Sequence, residues 1–268
     1  MKSKALSFLV DLVVILLGLA SLLISFIFSN EGGLSLTRAN YPIVISLIIL
    51  FTLLVLFFDI QRSTLDPKII PFLGVLIAIN AGIRFLENAI PGPAGFSPTF
   101  FLIILTGYFF GSRIGFLMGS MTMLVSALIT GGVGPWLPGQ MITAGWVGQT
   151  SALFSIAAKK LGWYGKRIEI LIIALVGILW GLLYGVIMNL WFWPYLGAPS
   201  GQSWLHDAGL ITNLKRYFSY YLATSLFWDI TRAIGNILII FAFTRPVLKI
   251  FMRFKQRFSF SYLQEVGK

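Results

Sequence analysis

The chain of 268 residues contains no cysteine and a single histidine. The first absence excludes disulfides, thiolate nucleophiles and cysteine-held metals. The second excludes a histidine-rich metal centre, and His206 reads as one solvated loop residue. Charge is scarce too. Asp, Glu, Lys and Arg make up 11% of the chain, against about 25% in a soluble domain. Hydrophobic residues make up 57%, and mean hydropathy is +0.89. One soluble core of this length cannot bury so much apolar surface, so the bilayer has to act as the solvent. Motifs of chemistry are also missing. There is no phosphate-cradling G-x-x-x-x-G-K-[ST], no H-E-x-x-H and no G-x-S-x-G. Nor is there a recognisable nucleophile–base–orienter set. The chain therefore reads as one that neither hydrolyses ATP nor catalyses a reaction, with no cofactor or metal of its own.

What is present is a series of long apolar runs. A spanning helix needs about 20 mostly apolar residues. On that measure the sequence predicts an all-α polytopic membrane protein with about eight helices, near 5–29, 40–59, 69–88, 97–112, 115–131, 140–158, 168–192 and 221–245. The fourth and fifth are short and joined by "GSRIG", which suggests one tilted or half-spanning helix. The run after "MKSK" is longer than the roughly 7–15 apolar residues of a signal peptide and has no A-x-A site, so it reads as a retained helix. The organisation follows: two N-terminal helices over 1–66, a membrane core over 67–246 and a basic tail over 247–268.

The net charge of +11 points to lipid rather than nucleic acid, because the basic residues gather on one side. With the N-terminus in the cytoplasm, Lys2, Lys4, Arg62, Lys68, Arg113, Lys159, Lys160, Lys166, Arg167 and the whole basic tail fall inside. Arg38, Lys215 and Arg216 alone fall outside. Both termini are then cytoplasmic. "RPVLKIFMRFKQRFSF" reads as an amphipathic helix on the anionic inner leaflet, with a docking surface for a partner as the alternative.

Three outer segments carry glycine, proline and tryptophan: "PGPAGFSPTF", "GGVGPWLPGQM" and "WFWPYLGAPSGQSW". Glycine allows close backbone approach and proline stiffens a loop. An aromatic belt explains part of the tryptophan, but not the prolines around Trp136 or the nearby Gln140. Shaped loops with aromatic faces and amides suit a ligand pocket. Polar residues within the helices point the same way: Arg84, Glu87 and Asn88 in the third, Gln149 in the sixth, Asn189 in the seventh, and Asp229, Arg232 and Asn236 in the eighth. Intramembrane charges are costly and face a cavity or one another. Arg84 and Glu87 share a face and are spaced to pair, while Asp229 and Arg232 read equally as a structural ion pair. Small residues recur every four positions at Gly74, Ala78 and Gly82, at Gly115 and Gly119, and at Gly177, Gly181 and Gly185. That pattern lets helices approach closely, inside the chain or against another subunit.

These features together resemble the substrate-binding S component of energy-coupling factor (ECF) vitamin transporters. The resemblance rests on "GVLIAINAGIRFL", the Pro/Gly-rich loop after it, the G-x-x-x-G helix, "GPWLPGQM" and "GWVG", and on the later "WGLLYGVIMNLWFWP" and "DITRAIGNILI". It spans about 69–257. It implies a six-helix core, here the third to eighth helices, with two helices added in front. It also implies capture of a vitamin-like molecule from outside, and delivery with a transmembrane scaffold subunit and two ATP-binding subunits in a prokaryotic cell membrane. The family's small-residue docking face would read Gly74, Ala78 and Gly82. The expected binding residues are Trp136, stacking on the ligand, and Gln140, with Arg84, Asn88, Gln149, Asn189, Asp229 and Arg232. A corrinoid is the favoured cargo, because the long 192–220 connection and its aromatics suit a large ligand; thiamine-like pyrimidines, riboflavin, biotin and modified-base precursors stay open. A polytopic membrane enzyme or lipid-handling protein, and a non-transporting scaffold, are the alternatives from other classes.

Overall fold

A computed structural model describes residues 12–13, 15–19, 47, 50–51, 69–90, 96–134, 136–193, 201–205 and 208–258. Most of the two expected N-terminal helices, most of "PGPAGFSP", Pro135, residues 194–200, His206 and the end of the tail lie outside these. The described residues form helices and turns only. In chain order the helices are α1 (Ile69–Ala89), α2 (Thr99–Phe110), α3 (Ser112–Thr130), α4 (Leu137–Lys160), α5 (Glu169–Phe192), α6 (Leu210–Thr224) and α7 (Leu226–Phe258). Four stretches are long and apolar enough to cross a membrane: Ile69–Ala89, Ser112–Thr130, Glu169–Trp191 and Leu226–Phe254. We call the end of the bundle bearing Ala89, Leu137 and Leu226 upper, and the end bearing Ile69, Lys160 and Glu169 lower.

α4 is the centre. It packs against α2, α3 and α5, and buries two-thirds of its length, including Thr143, Gln149, Ser151 and Ser155. Its composition follows from that position. A helix surrounded by protein needs small residues for close packing more than it needs apolar ones. Gly115 of α3 and Gly148 of α4 touch backbone to backbone: a Cβ at Gly148 would lie 2.0 Å from the Gly115 carbonyl oxygen. Gly107 of α2 meets the same point, where its Cβ would lie 1.9 Å from the Gly148 oxygen. The G-x-x-x-G of α3 is therefore an internal packing device.

The expected short helix is α2. Twelve residues rise roughly 18 Å, less than the hydrocarbon thickness of about 30 Å. Thr99 through Tyr108 are all buried, so protein rather than lipid surrounds this helix. Gly111 makes the sharp joint to α3, with φ 100°, a conformation that favours glycine.

One reading of the chain's second half needs correction. The long outer connection over 192–220 is shortened by α6, a helix of 15 residues. Its sequence is too polar and too short to register as a span. Asn213, Tyr217 and Tyr221 face the bundle, while Ile211, Leu214, Phe218 and Leu222 are exposed. The basic stretch after 246 is helical as far as Phe258. α7 runs on through Pro246, and its lower half packs under the bundle. Phe251 is 1% exposed and meets the rings of Phe72, Phe109 and Phe110. Phe254 stacks on Phe72 at 3.8 Å. Much of the apolar face expected to lie on lipid is covered by the chain itself. At the other end of the sequence, Gly18 lies against Trp146 and Ile142 of α4.

Candidate functional site

The upper half of the bundle gathers polar side chains from all seven of the described helices. On α1, Asn80, Arg84 and Glu87 lie along one face. Asn80 is fully buried; its Nδ2 donates to the Thr99 carbonyl at 3.1 Å and to Thr122 Oγ1 at 3.3 Å. Its Oδ1 has no partner among the described residues. One turn higher, Arg84 donates to Ser126 Oγ at 2.8 Å and to Gln140 Oε1 at 3.2 Å. This guanidinium ties α1 to the end of α3 and the start of α4. Glu87 accepts from Ser97 and Thr99, each at 3.0 Å. The expected contact between Arg84 and Glu87 is replaced by these bonds, although the carboxylate stays in electrostatic reach of both Arg84 and Arg232.

On the facing side, Asp229 pairs with Arg232 one turn along α7. Asp229 is 1% exposed. Tyr221 of α6 donates to its second oxygen at 2.9 Å, and Arg232 also donates to the Gly181 carbonyl at 3.3 Å. Tyr184 of α5 joins the two halves. The Arg232 guanidinium lies 5.6 Å from its ring centroid, Phe100 packs edge-on at 4.7 Å, and Arg84, Glu87 and Arg232 all act on it electrostatically. Two clusters far apart in sequence thus form one polar region with two guanidiniums and two carboxylates. Such groups are expensive in lipid unless paired or facing a cavity.

The stripe on α5 serves this region. A Cβ at Gly185 would fall 1.9 Å from an Asp229 carboxylate oxygen, and one at Gly181 would fall 2.5 Å from Ala233 Cα. Gly177 faces Ile240 and Asn236, and Asn236 donates to its carbonyl at 2.9 Å.

The expected site residues are therefore divided. Arg84, Gln140, Asp229 and Arg232 come together. Asn88 is exposed and makes none of the described side-chain bonds. Gln149 is buried deep in α4, and Asn189 is half-buried near the top of α5. Trp136 turns back on its own loop: its Nε1 donates to the Gly132 carbonyl at 3.1 Å, its ring covers Gly134, and it is 43% exposed. Sequence reasoning missed Asn80, Ser126, Tyr184 and Tyr221. For Asn80 the signal existed, because it precedes Arg84 by one turn. Among the described residues, nothing lies within 4 Å of a Cβ added at Gly74 or Gly82, and Ala78 is exposed beside them.

A sequence model of the family described as "ECF transporter, substrate-specific component" matches residues 68–243, most of the chain. The chain belongs to the ECF transporter substrate-specific component family. It is a multi-pass membrane protein and a transporter subunit, not an enzyme. No curated protein and no solved structure matches it. The match begins beside Ile69 and ends within α7, so it takes in the whole upper polar region and leaves out the two N-terminal segments.

Proposed function

We propose that this S component captures a vitamin-like micronutrient among the upper polar side chains. It delivers the cargo with a transmembrane scaffold subunit and two ATP-binding subunits. The core is α1–α5 with α7, preceded by two added N-terminal helices. The upper end faces outward and both termini lie in the cytoplasm, an orientation supported by the basic residues gathered at the lower end. The observation that carries the reading is the convergence of Arg84, Glu87, Gln140, Tyr184, Asp229 and Arg232 from four helices at one level of a lipid-bathed bundle. Donors, acceptors and one aromatic ring suit a compact cargo that bears both a ring and polar substituents. A corrinoid is less favoured, because α6 takes up the last part of the 192–220 connection. Trp193 also packs on Trp204 and Tyr217 at 5.5 Å and 5.3 Å. A corrinoid stays as the large-ligand alternative. The outward face of Gly74, Ala78 and Gly82 supports the docking surface for the scaffold.

The test is mass spectrometry, with an absorption spectrum, on ligand released from gently purified protein. The expected result is one vitamin-like compound in near-equal amount to the protein. Arg84→Gln should weaken its binding by about tenfold or more, the effect of a lost charge-assisted hydrogen bond, with membrane expression unchanged. Unaltered affinity would remove Arg84 from the site and the upper region from this role.

A further inference from the structure

The lower end of the bundle holds a second concentration of charge that capture of a cargo at the upper end does not use. A cleft of about 450 Å³ lies between the α4–α5 loop and α7, within the size range of small-molecule sites, roughly 300–1,000 Å³. Four cations line it: Lys166 and Arg167 from the loop, and Arg245 and Lys249 one turn apart on α7. All four are exposed, and among the described residues none of their side chains has a hydrogen bond or ion pair. The one carboxylate in the cleft, Glu169, is buried and can offset at most one of the four charges. Glu169 accepts from Tyr108 Oη at 2.8 Å through one oxygen and from the Gly165 backbone N–H at 3.0 Å through the other. The cleft therefore carries an excess of positive charge that nothing in the described chain answers.

Its other wall is apolar. Phe109, Leu248 and Met252 line it, and Ile168, Leu171 and Ile250 are exposed on the neighbouring turns of the same elements. The depth fits the same picture. Arg245 stands 19 residues along α7 from Leu226, roughly 28 Å at helical rise, which is close to the hydrocarbon thickness of about 30 Å. Cations at that depth sit where lipid phosphates sit, and the apolar wall faces where acyl chains begin. A soluble anion would meet the cations and have no use for the wall.

We propose that this cleft is a binding site for the phosphate headgroup of an anionic phospholipid, with Lys166, Arg167, Arg245 and Lys249 as its ligands. A bound lipid would tie the α4–α5 loop to α7. The site is independent of the upper polar region and of whatever cargo that region takes.

The test uses the detergent-solubilised full chain, titrated separately with phosphatidylglycerol, with phosphatidylcholine of the same acyl chains, and with inorganic phosphate. Lipid retention is read by native mass spectrometry and stability by thermal unfolding. Phosphatidylglycerol should be retained preferentially and should raise the midpoint by roughly 5 °C at saturation. Arg245→Gln/Lys249→Gln should weaken that binding by about tenfold or more. Lys166→Gln/Arg167→Gln, confined to an exposed loop, should do the same and guards against a helix variant that fails to fold. Equal retention of the two lipids, or a phosphatidylglycerol preference that survives both double variants, would overturn the proposal. So would equal protection by inorganic phosphate, which would assign the cleft to soluble phosphate compounds. Loss of the ATP-binding subunits from the variants without any lipid preference would assign it to a protein partner and overturn it too.

Discussion

Two helices of this protein carry the same small-residue stripe and use it in opposite ways. On α5, Gly177, Gly181 and Gly185 are closed over by α7, whose Asn236, Ala233 and Asp229 occupy the space where side chains would be. On α1, a Cβ added at Gly74 or Gly82 would meet nothing within 4 Å among the described residues. The spacing does not distinguish them, and neither does the apolar background. What does is the helix opposite. α7 presents a guanidinium and an amide that need acceptors within the bilayer; α5 offers its carbonyls, and at Gly185 a surface low enough to admit the Asp229 carboxylate. Arg232 bonds the Gly181 carbonyl and Asn236 bonds that of Gly177. A stripe facing buried polar groups is a seam of the fold. A stripe facing open space leaves room for another backbone, which is what the proposed docking face requires.

That contrast can be broken most forcefully at the closed stripe. Gly181→Leu would drive a side chain into the α7 backbone and should cost on the order of 4 kcal/mol or more, seen as loss of a monodisperse species in size-exclusion chromatography. A mild loss would mean that α5 and α7 separate easily. Next in size is the polar pair beneath the stripe. Asp229→Asn leaves Arg232 without its counter-ion and should destabilise by about 3 kcal/mol, as a broken buried pair does. Adding Arg232→Gln should recover part of it, as the thermal midpoint would report. A double variant that is worse than either single one would assign the two residues separate roles. The smallest effect on stability belongs to the open stripe. Gly74→Leu with Gly82→Leu should shift stability by less than about 0.5 kcal/mol, yet prevent co-purification with the scaffold subunit. Unimpaired assembly would place docking elsewhere.

Much of the fold is legible in the sequence, for a physical reason. Segments with a lipid-facing side, such as 69–89 and 169–192, must be mostly apolar, and hydropathy finds such runs. α6 escaped because its stability comes from contacts that hydropathy does not see. Asn213 ties it to the Leu205 and Ala208 carbonyls at 2.9 Å and 3.1 Å, and Tyr217 reaches the Val186 carbonyl at 2.6 Å. The site is legible in its charges and illegible in its directions. Arg84, Asp229 and Arg232 stand out because ionisable groups are rare in such segments. Tyr184 and Ser126 do not, since tyrosine and serine are ordinary there. Glu87 faces inward while Asn88 faces out, because one residue along a helix turns the side chain by about 100°. Trp136 keeps pocket-like company in the loop sequence, but its ring lies back on Gly134, a direction that sequence does not encode locally.

The composition of α4 has a consequence for how the protein is made. Its glycines, threonines, serines and glutamines, surrounded by α2, α3 and α5 in the finished bundle, would each face hydrocarbon in a newly inserted helix standing alone. Entry of such a segment into the bilayer draws little support from lipid, while its partners offer a surface that already fits. α4 therefore enters most favourably as the second arm of a hairpin with α3, after α2 is in place to meet Gly148. Chain order delivers α2 and α3 first and α5 only afterwards, so the central helix of the finished molecule is the one whose insertion depends most on what the ribosome has already supplied.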